Sequence, residues 1–252
     1  VRALKDRLSA LVTEVVSEEV RGLPPAWENR LTEAVPFRQL WHLSLLSCAS
    51  AQWCGAHPEK GLPASAAVLF LAGATASHGV PAVGVSMPGL EDYDAGGPPE
   101  AGRILAGDAL LPLAVKVTCG LDAPGSLVLA DLLLKSASEM LDAMSFGRHA
   151  DMTGRWAGRL AGLAARMGAV ASGAPALSAE TAALAGMEIG KAAATLQLSP
   201  SRDGKYEAET MLKDAMGSLR PGEAGLFREI CGFVSAIGTG ESDSLFFGFE
   251  PD

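Results

Sequence analysis

Apolar residues recur every three or four positions near the start of the chain, at Leu4, Leu8, Leu11, Val12, Val15 and Val16. Arg, Asp and Glu fill the gaps, and the pattern predicts an amphipathic helix over 1–20. Gly22 to Pro25 stops it, because proline cannot continue the hydrogen-bond ladder. A second helix is expected from about Trp27 to Ala34, and one continuous, strongly apolar helix from Arg38 to Ala51. A loop at His57–Pro63 leads into a buried helix over 64–78. From Ser77 to Pro99 the chain is irregular and rich in Gly and Pro.

Residues 101–118 read as a further helix, followed by a break at Gly120–Gly125. Ser126–Ser145 is clearly amphipathic, with Leu129, Leu132, Leu133, Ala137, Met140, Leu141 and Met144 on the inward face. In Trp156–Ser172 the small residues Gly158, Gly162, Ala165 and Ala169 permit close approach of another helix. The charges of Arg155, Arg159 and Arg166 argue against a Gly-x-x-x-G contact inside a membrane. Ser178 opens the next helix as a Ser-x-Glu cap, running to about Leu198, where Pro200 breaks it. Helices over 204–219 and 222–237 and an acidic tail from Gly238 complete the chain. The expected fold is all-α: a single helical domain over 1–252, built as a bundle of about ten or more helices.

Composition narrows the function. Hydrophobic residues make up 48% of the 252 and aromatics only 6%, so Ala, Leu, Gly and Val must do most of the packing, which favours close-packed helices. A formal charge of −9 argues against a phosphate-backbone partner, so no nucleic acid is expected. The apolar stretch Leu62–Val85 is interrupted by His78, Pro81 and glycines, and suits a buried bundle helix better than a membrane span. Cys48, Cys54, Cys119 and Cys231 are scattered, which points to a reducing, cytoplasmic setting. His42, Cys48, Cys54 and His57 match no standard zinc spacing, and buried free thiols are the expected reading. No secretory signal is expected from the charged, amphipathic start.

The densest chemical signal is AGRILAGDALLPLA, Ala101 to Ala114, an apolar helical run with Arg103 and Asp108 as its only charges. A carboxylate in such a run must lie at a water-lined edge or be met by partners. The string resembles the A-x-L-A-G-D-A-L-L-x-x-A signature of the trans-isoprenyl diphosphate synthases, the polyprenyl synthetase family, and the resemblance extends in patches from about residue 30 to 235. It implies an isoprenoid-synthase-like bundle. It also implies a chemistry in which an allylic diphosphate ionises on Mg2+ held by two aspartate-rich motifs, while lysine and arginine hold a second diphosphate.

The charged positions of that pattern are largely replaced. Opposite the Gly-Lys-Arg segment stand Pro36, Phe37, Arg38, Gln39, Leu40 and Trp41, and only Arg38 keeps its charge as a candidate diphosphate ligand. Thr75, Ala76 and Ser77 match the run before the first aspartate motif, but the two leading aspartates fall on Pro81 and Ala82. The Lys-Thr pair falls on Trp156 and Ala157, and the second aspartate motif on Gln197, Leu198 and Ser201. Glu91, Asp92, Asp94 and Asp108 are the candidate metal ligands that are left, with a solvated acidic turn the plainer reading of the first three. No catalytic residue is assigned.

Three functions are consistent with this pattern. The first is a non-catalytic, regulatory subunit of a prenyl diphosphate synthase, since some members of the family are heteromers whose smaller subunit lacks the aspartate motifs and tunes product length. The expected assembly is then a homodimer or a heterodimer with an active synthase. The second is a binding protein for an isoprenoid or lipid ligand on the same fold. The third is an atypical active prenyltransferase condensing allylic and isopentenyl diphosphates. No cofactor is expected under the first two, and Mg2+ only under the third.

Overall fold

The computed structural model describes residues 1–22, 24, 26–78, 99–120, 126–146, 149–220 and 223–237. The expectations attached to Pro81, Ala82, Glu91, Asp92 and Asp94, to the 121–125 break and to the acidic tail lie outside these residues. All regular structure among the described residues is helical: α1 (Arg2–Glu19), α2 (Ala26–Ala34), α3 (Phe37–Ser44), α4 (Leu46–Trp53), α5 (Leu62–Ser77), α6 (Pro99–Cys119), α7 (Ser126–Phe146), α8 (His149–Ala171), α9 (Ala176–Leu198), α10 (Arg202–Gly217) and α11 (Gly225–Ile237). A single 3-10 turn, Pro58–Gly61, leads into α5. This is the all-α bundle of more than ten helices that the hydrophobic pattern predicts. No described helix is long and apolar enough to cross a membrane.

Helix α5 is the centre of the bundle. From Ala64 to Ser77 every side chain is buried, and α1, α2, α3, α4, α6, α7 and α8 all pack on it. An all-round apolar helix of this kind is stable only when enclosed on every side. One buried cluster runs from Leu8 on α1 to Val234 on α11, with Phe70 and Phe227 among its largest members.

Small residues set the spacing of α8 and α9, as expected from the run of glycines and alanines. A Cβ on Gly190 would lie 2.3 Å from the Ala157 carbonyl oxygen, and one on Gly186 2.6 Å from that of Ala161. Gly162 likewise faces the Ala183 oxygen at 3.0 Å. Only residues without side chains let these backbones approach so closely. Helix α8 then ends at Gly173, where φ is +80° and the amide of Ala174 reaches back to the Ala169 oxygen at 3.1 Å.

Three local expectations are corrected. The helix expected from Arg38 to Ala51 is two, α3 and α4, joined at Leu45. The Ser44 carbonyl accepts the Ser47 hydroxyl at 2.9 Å and the Ser65 hydroxyl at 3.0 Å, while Ser44 itself donates to the Trp41 carbonyl at 2.8 Å. Side-chain hydroxyls thus take over the carbonyl that would carry the ladder through this point. Helix α9 starts two residues before Ser178: Pro175 occupies the cap position, its φ of −58° suited to an entry, and no side chain caps the helix. The cysteines also divide. Cys48 and Cys231 are buried, Cys54 is half-buried and Cys119 is exposed, and all four are free. Burial pushes the Cys48 and Cys231 thiols up to about 11, so these two are inert packing groups.

Ser201 caps α10, its hydroxyl oxygen accepting the Gly204 amide at 3.2 Å. Ser201→Ala is expected to cost about 1 kcal/mol, a fall of about 2–4 °C in Tm. Thermal melting followed by circular dichroism checks this.

Candidate functional site

Helices α5 and α6 cross at Gly107. A Cβ there would lie 2.8 Å from the Ser77 Cβ and 3.1 Å from the Ala74 carbonyl oxygen, so α6 can lie this close only through a glycine. Helix α7 packs on both α5 and α6. The result is a cavity of about 840 Å³ whose walls are mainly apolar, with Leu71 and Ala74 from α5, Leu111 and Val115 from α6, and Leu134 and Ala137 from α7. This volume lies within the roughly 300–1,000 Å³ range of small-molecule sites.

The polar groups gather where the helices cross. Asp108, next to Gly107, lines the cavity with its side chain 59% exposed, and its Oδ1 lies 3.1 Å from Nε2 of His78 in the turn that ends α5. The carboxylate in the apolar run thus has both a wet edge and a partner. Pro112 also lines the cavity and sits inside α6. Having no N–H, it cannot donate to the carbonyl four residues back, which is that of Asp108. One residue therefore presents both a carboxylate and a carbonyl deprived of its usual helical donor. Thr75 lines the same cavity, its hydroxyl donating back to the Leu71 and Ala72 carbonyls at 3.0 and 3.1 Å. At the other end, Lys116 is held by Glu19, Nζ to Oε2 2.8 Å, and this contact raises the pKa of its ammonium.

The sequence pointed to Asp108 but not to His78, Thr75 or Pro112 as its companions. His78 stood out only as an interruption in an apolar run, 30 residues before Asp108. Gly107 was the signal that could have joined them, because a glycine on a buried helix face marks a crossing point.

Among the described residues, the matched positions Trp156, Gln197, Leu198 and Ser201 do not line this cavity. Arg38 falls on α3, and the position of its side chain lies outside the description. Gln197 and Leu198 form the end of α9. Leu198 is exposed, and the Gln197 Oε1 is buried without a hydrogen-bond partner. Ser201 is occupied in capping α10. Trp156, standing where the resemblance implies a lysine, is buried in α8 with its indole N–H unpartnered. The Mg2+ ions implied by the resemblance need several carboxylate oxygens converging from facing helices. Among the described residues no three His, Cys, Asp or Glu side chains come together, and the matched positions Trp156, Gln197, Leu198 and Ser201 offer indole, amide, alkyl and hydroxyl groups. These residues do not fit the metal, and no step is derived through it.

No protein-family model matches the sequence, and no curated protein matches it. Solved structures do match in three dimensions. A chain of the mint deletion mutant of heterotetrameric geranyl pyrophosphate synthase, solved in complex with ligands, superposes with a TM-score of 0.67 at 13% identity. The match covers 90% of this chain and 98% of that one. The geranyl diphosphate synthase small subunit from Antirrhinum majus gives a TM-score of 0.62 at 18% identity, over the same shares. An FPP/GFPP synthase from Zymomonas mobilis gives 0.64 at 16%, covering 93% of this chain and 98% of its own. The eleven helices described above are therefore arranged in the fold of the trans-isoprenyl diphosphate synthases.

Proposed function

We propose that this chain is a non-catalytic subunit that pairs with an active prenyl diphosphate synthase in the cytoplasm and adjusts the length of its product. The observation that carries this reading is a contrast on one scaffold: the apolar core is complete, while Trp156, Gln197, Leu198 and Ser201 stand where the resemblance implies lysine and aspartates. Two of the solved chains that share the fold support it by analogy, one from a heterotetrameric synthase and one a small subunit.

A surface for the partner is available on α6 and α7. Ile104, Leu105, Leu127, Val128 and Leu134 are large apolar side chains with 39–79% of their surface exposed, on two helices that pack against each other. Covering such side chains contributes roughly 25 cal/mol per Å² of apolar area. The same surface would serve a homodimer.

The test is an assay with Mg2+, farnesyl diphosphate and labelled isopentenyl diphosphate, run on the chain alone and again with an active synthase from the same source. The expected result is no product from the chain alone, and a stable complex with an altered chain-length distribution from the mixture. Leu127→Asp with Leu134→Asp is expected to abolish the complex and restore the synthase's own product, with Tm lowered by no more than a few degrees. Turnover by the chain alone would overturn the reading and return attention to Glu91, Asp92, Asp94 and Asp108.

A further inference from the structure

We propose that the open cavity lined by α5, α6 and α7 binds an amphiphile: an apolar chain ending in a head that donates hydrogen bonds and bears no negative charge. The inference does not rest on the partner-subunit reading, and its test uses this chain alone. It gives a location and a head-group chemistry to the apolar-ligand alternative.

Two sets of observations define the ligand. The walls, formed by Leu71, Ala74, Leu111, Val115 and Ala137, offer contact only to hydrocarbon. The polar end offers chiefly acceptors. Asp108 holds His78 through Oδ1, and no partner meets Oδ2 among the described residues. Its backbone carbonyl lacks the helical donor that Pro112 cannot supply. Thr75 also lines the cavity, and its hydroxyl proton is already directed to the carbonyls of its own helix, so it is not a free donor there. Such a set is satisfied by a hydroxyl or an ammonium and repels a carboxylate or a phosphate. Of the lining groups that could offset this repulsion, Lys116 is paired with Glu19 and His78 with Asp108 itself. An anion entering head-first would therefore meet a carboxylate with no free cation beside it among the lining groups.

The experiment is a titration of the purified chain with three probes that share one tail, n-decanol, n-decylamine and n-decyl phosphate, below their micellar concentrations. Binding is read by calorimetry and by native mass spectrometry. The alcohol and the amine are expected to bind with 1:1 stoichiometry, and the phosphate at least about ten-fold more weakly. Asp108→Asn is expected to weaken the amine about ten-fold and to narrow the gap to the phosphate. Leu134→Trp, which fills the cavity from a half-exposed position, is expected to remove binding of all three while leaving the helical circular dichroism unchanged. Ala137→Trp provides a second filling variant.

The inference is overturned if the phosphate binds as tightly as the alcohol, or if filled variants that still fold bind as before. It is equally overturned if none of the probes binds, because the cavity is then occupied by a second copy of the chain or by its own residues. The titration uses the chain alone, so failure of the partner assay leaves it unaffected.

Discussion

Gly168→Ala is expected to lower the melting temperature by about 10 °C or more, the opposite of what helix propensity alone would give. Alanine in the interior of a helix is normally better than glycine by about 1 kcal/mol. At position 168, on α8, the added Cβ would stand 1.9 Å from the Ser47 carbonyl oxygen and 2.5 Å from the Ser47 Cα and carbonyl carbon. These are backbone atoms of α4 and cannot swing aside as the end of a flexible side chain would. They are also pinned: the Ser47 hydroxyl donates to the Ser44 and Gly61 carbonyls, both at 2.9 Å, and pairs with the Ser65 hydroxyl. Gly61 is itself pressed against Ser47 and Cys48, 2.5 Å from where its Cβ would be. Relief of the clash must move α8 away from α4 and open the core, at a cost of about 3–5 kcal/mol. Chemical and thermal denaturation measure this directly. Gly154→Ala on the same helix is the control: no heavy atom beyond its neighbours lies within 4 Å of its Cβ position, so a gain of about 0.5–1 kcal/mol is expected. Equal effects at the two positions would show that α4 and α8 are not in contact as described.

The second large effect is on pH dependence. His42 on α3 is 2% exposed, stacked edge-on against Trp41, with neither ring nitrogen hydrogen-bonded. Burial away from water disfavours the imidazolium and pulls its pKa down from 6.5 to about 4. The unfolded chain therefore binds this proton more readily than the folded one between these two values. The contribution to stability is complete above pH 6.5 and is lost as pH falls towards 4, where about 3 kcal/mol has gone. By pH 5, where most carboxylates are still ionised, the loss from this residue is about 2 kcal/mol, or about 4–8 °C in Tm.

His42→Leu is expected to abolish that slope between pH 7 and 5. It should also raise stability at pH 7, since it removes two buried polar atoms that make no hydrogen bonds. Parallel pH profiles for the two proteins would mean that the imidazole finds water or a partner in solution. This group's state is not legible in the sequence, because a histidine in an apolar helix can equally be a satisfied core residue, and only the missing partners of both ring nitrogens distinguish the two.

The local physics of the chain made the helices legible. Periods of three and four separated amphipathic helices such as α1 and α7 from the wholly apolar α5, and Pro200 marked an end that the backbone uses. Where one expected helix is two, a tertiary hydrogen bond contributes to the break. Ser65 reaches from α5 to the Ser44 carbonyl and helps to divide a run that reads as one helix, and nothing local to residues 38–51 contains that information.

The candidate site shows the same division. The sequence by itself determined an all-α chain with a complete apolar core, few aromatics, a negative charge, and a Gly-Asp placed where a carboxylate should not be free. These follow from properties that each residue carries wherever it lies: transfer energy, propensity and charge. The tertiary structure alone decided that Asp108 meets His78, that α7 lines a cavity beside them, and that Gly168 lies against Ser47. Each of these is a contact between segments distant in the chain or between faces of different helices. Its energy depends on how helices of nearly identical composition are placed against one another, and periodicity specifies which face is buried without specifying what lies across from it.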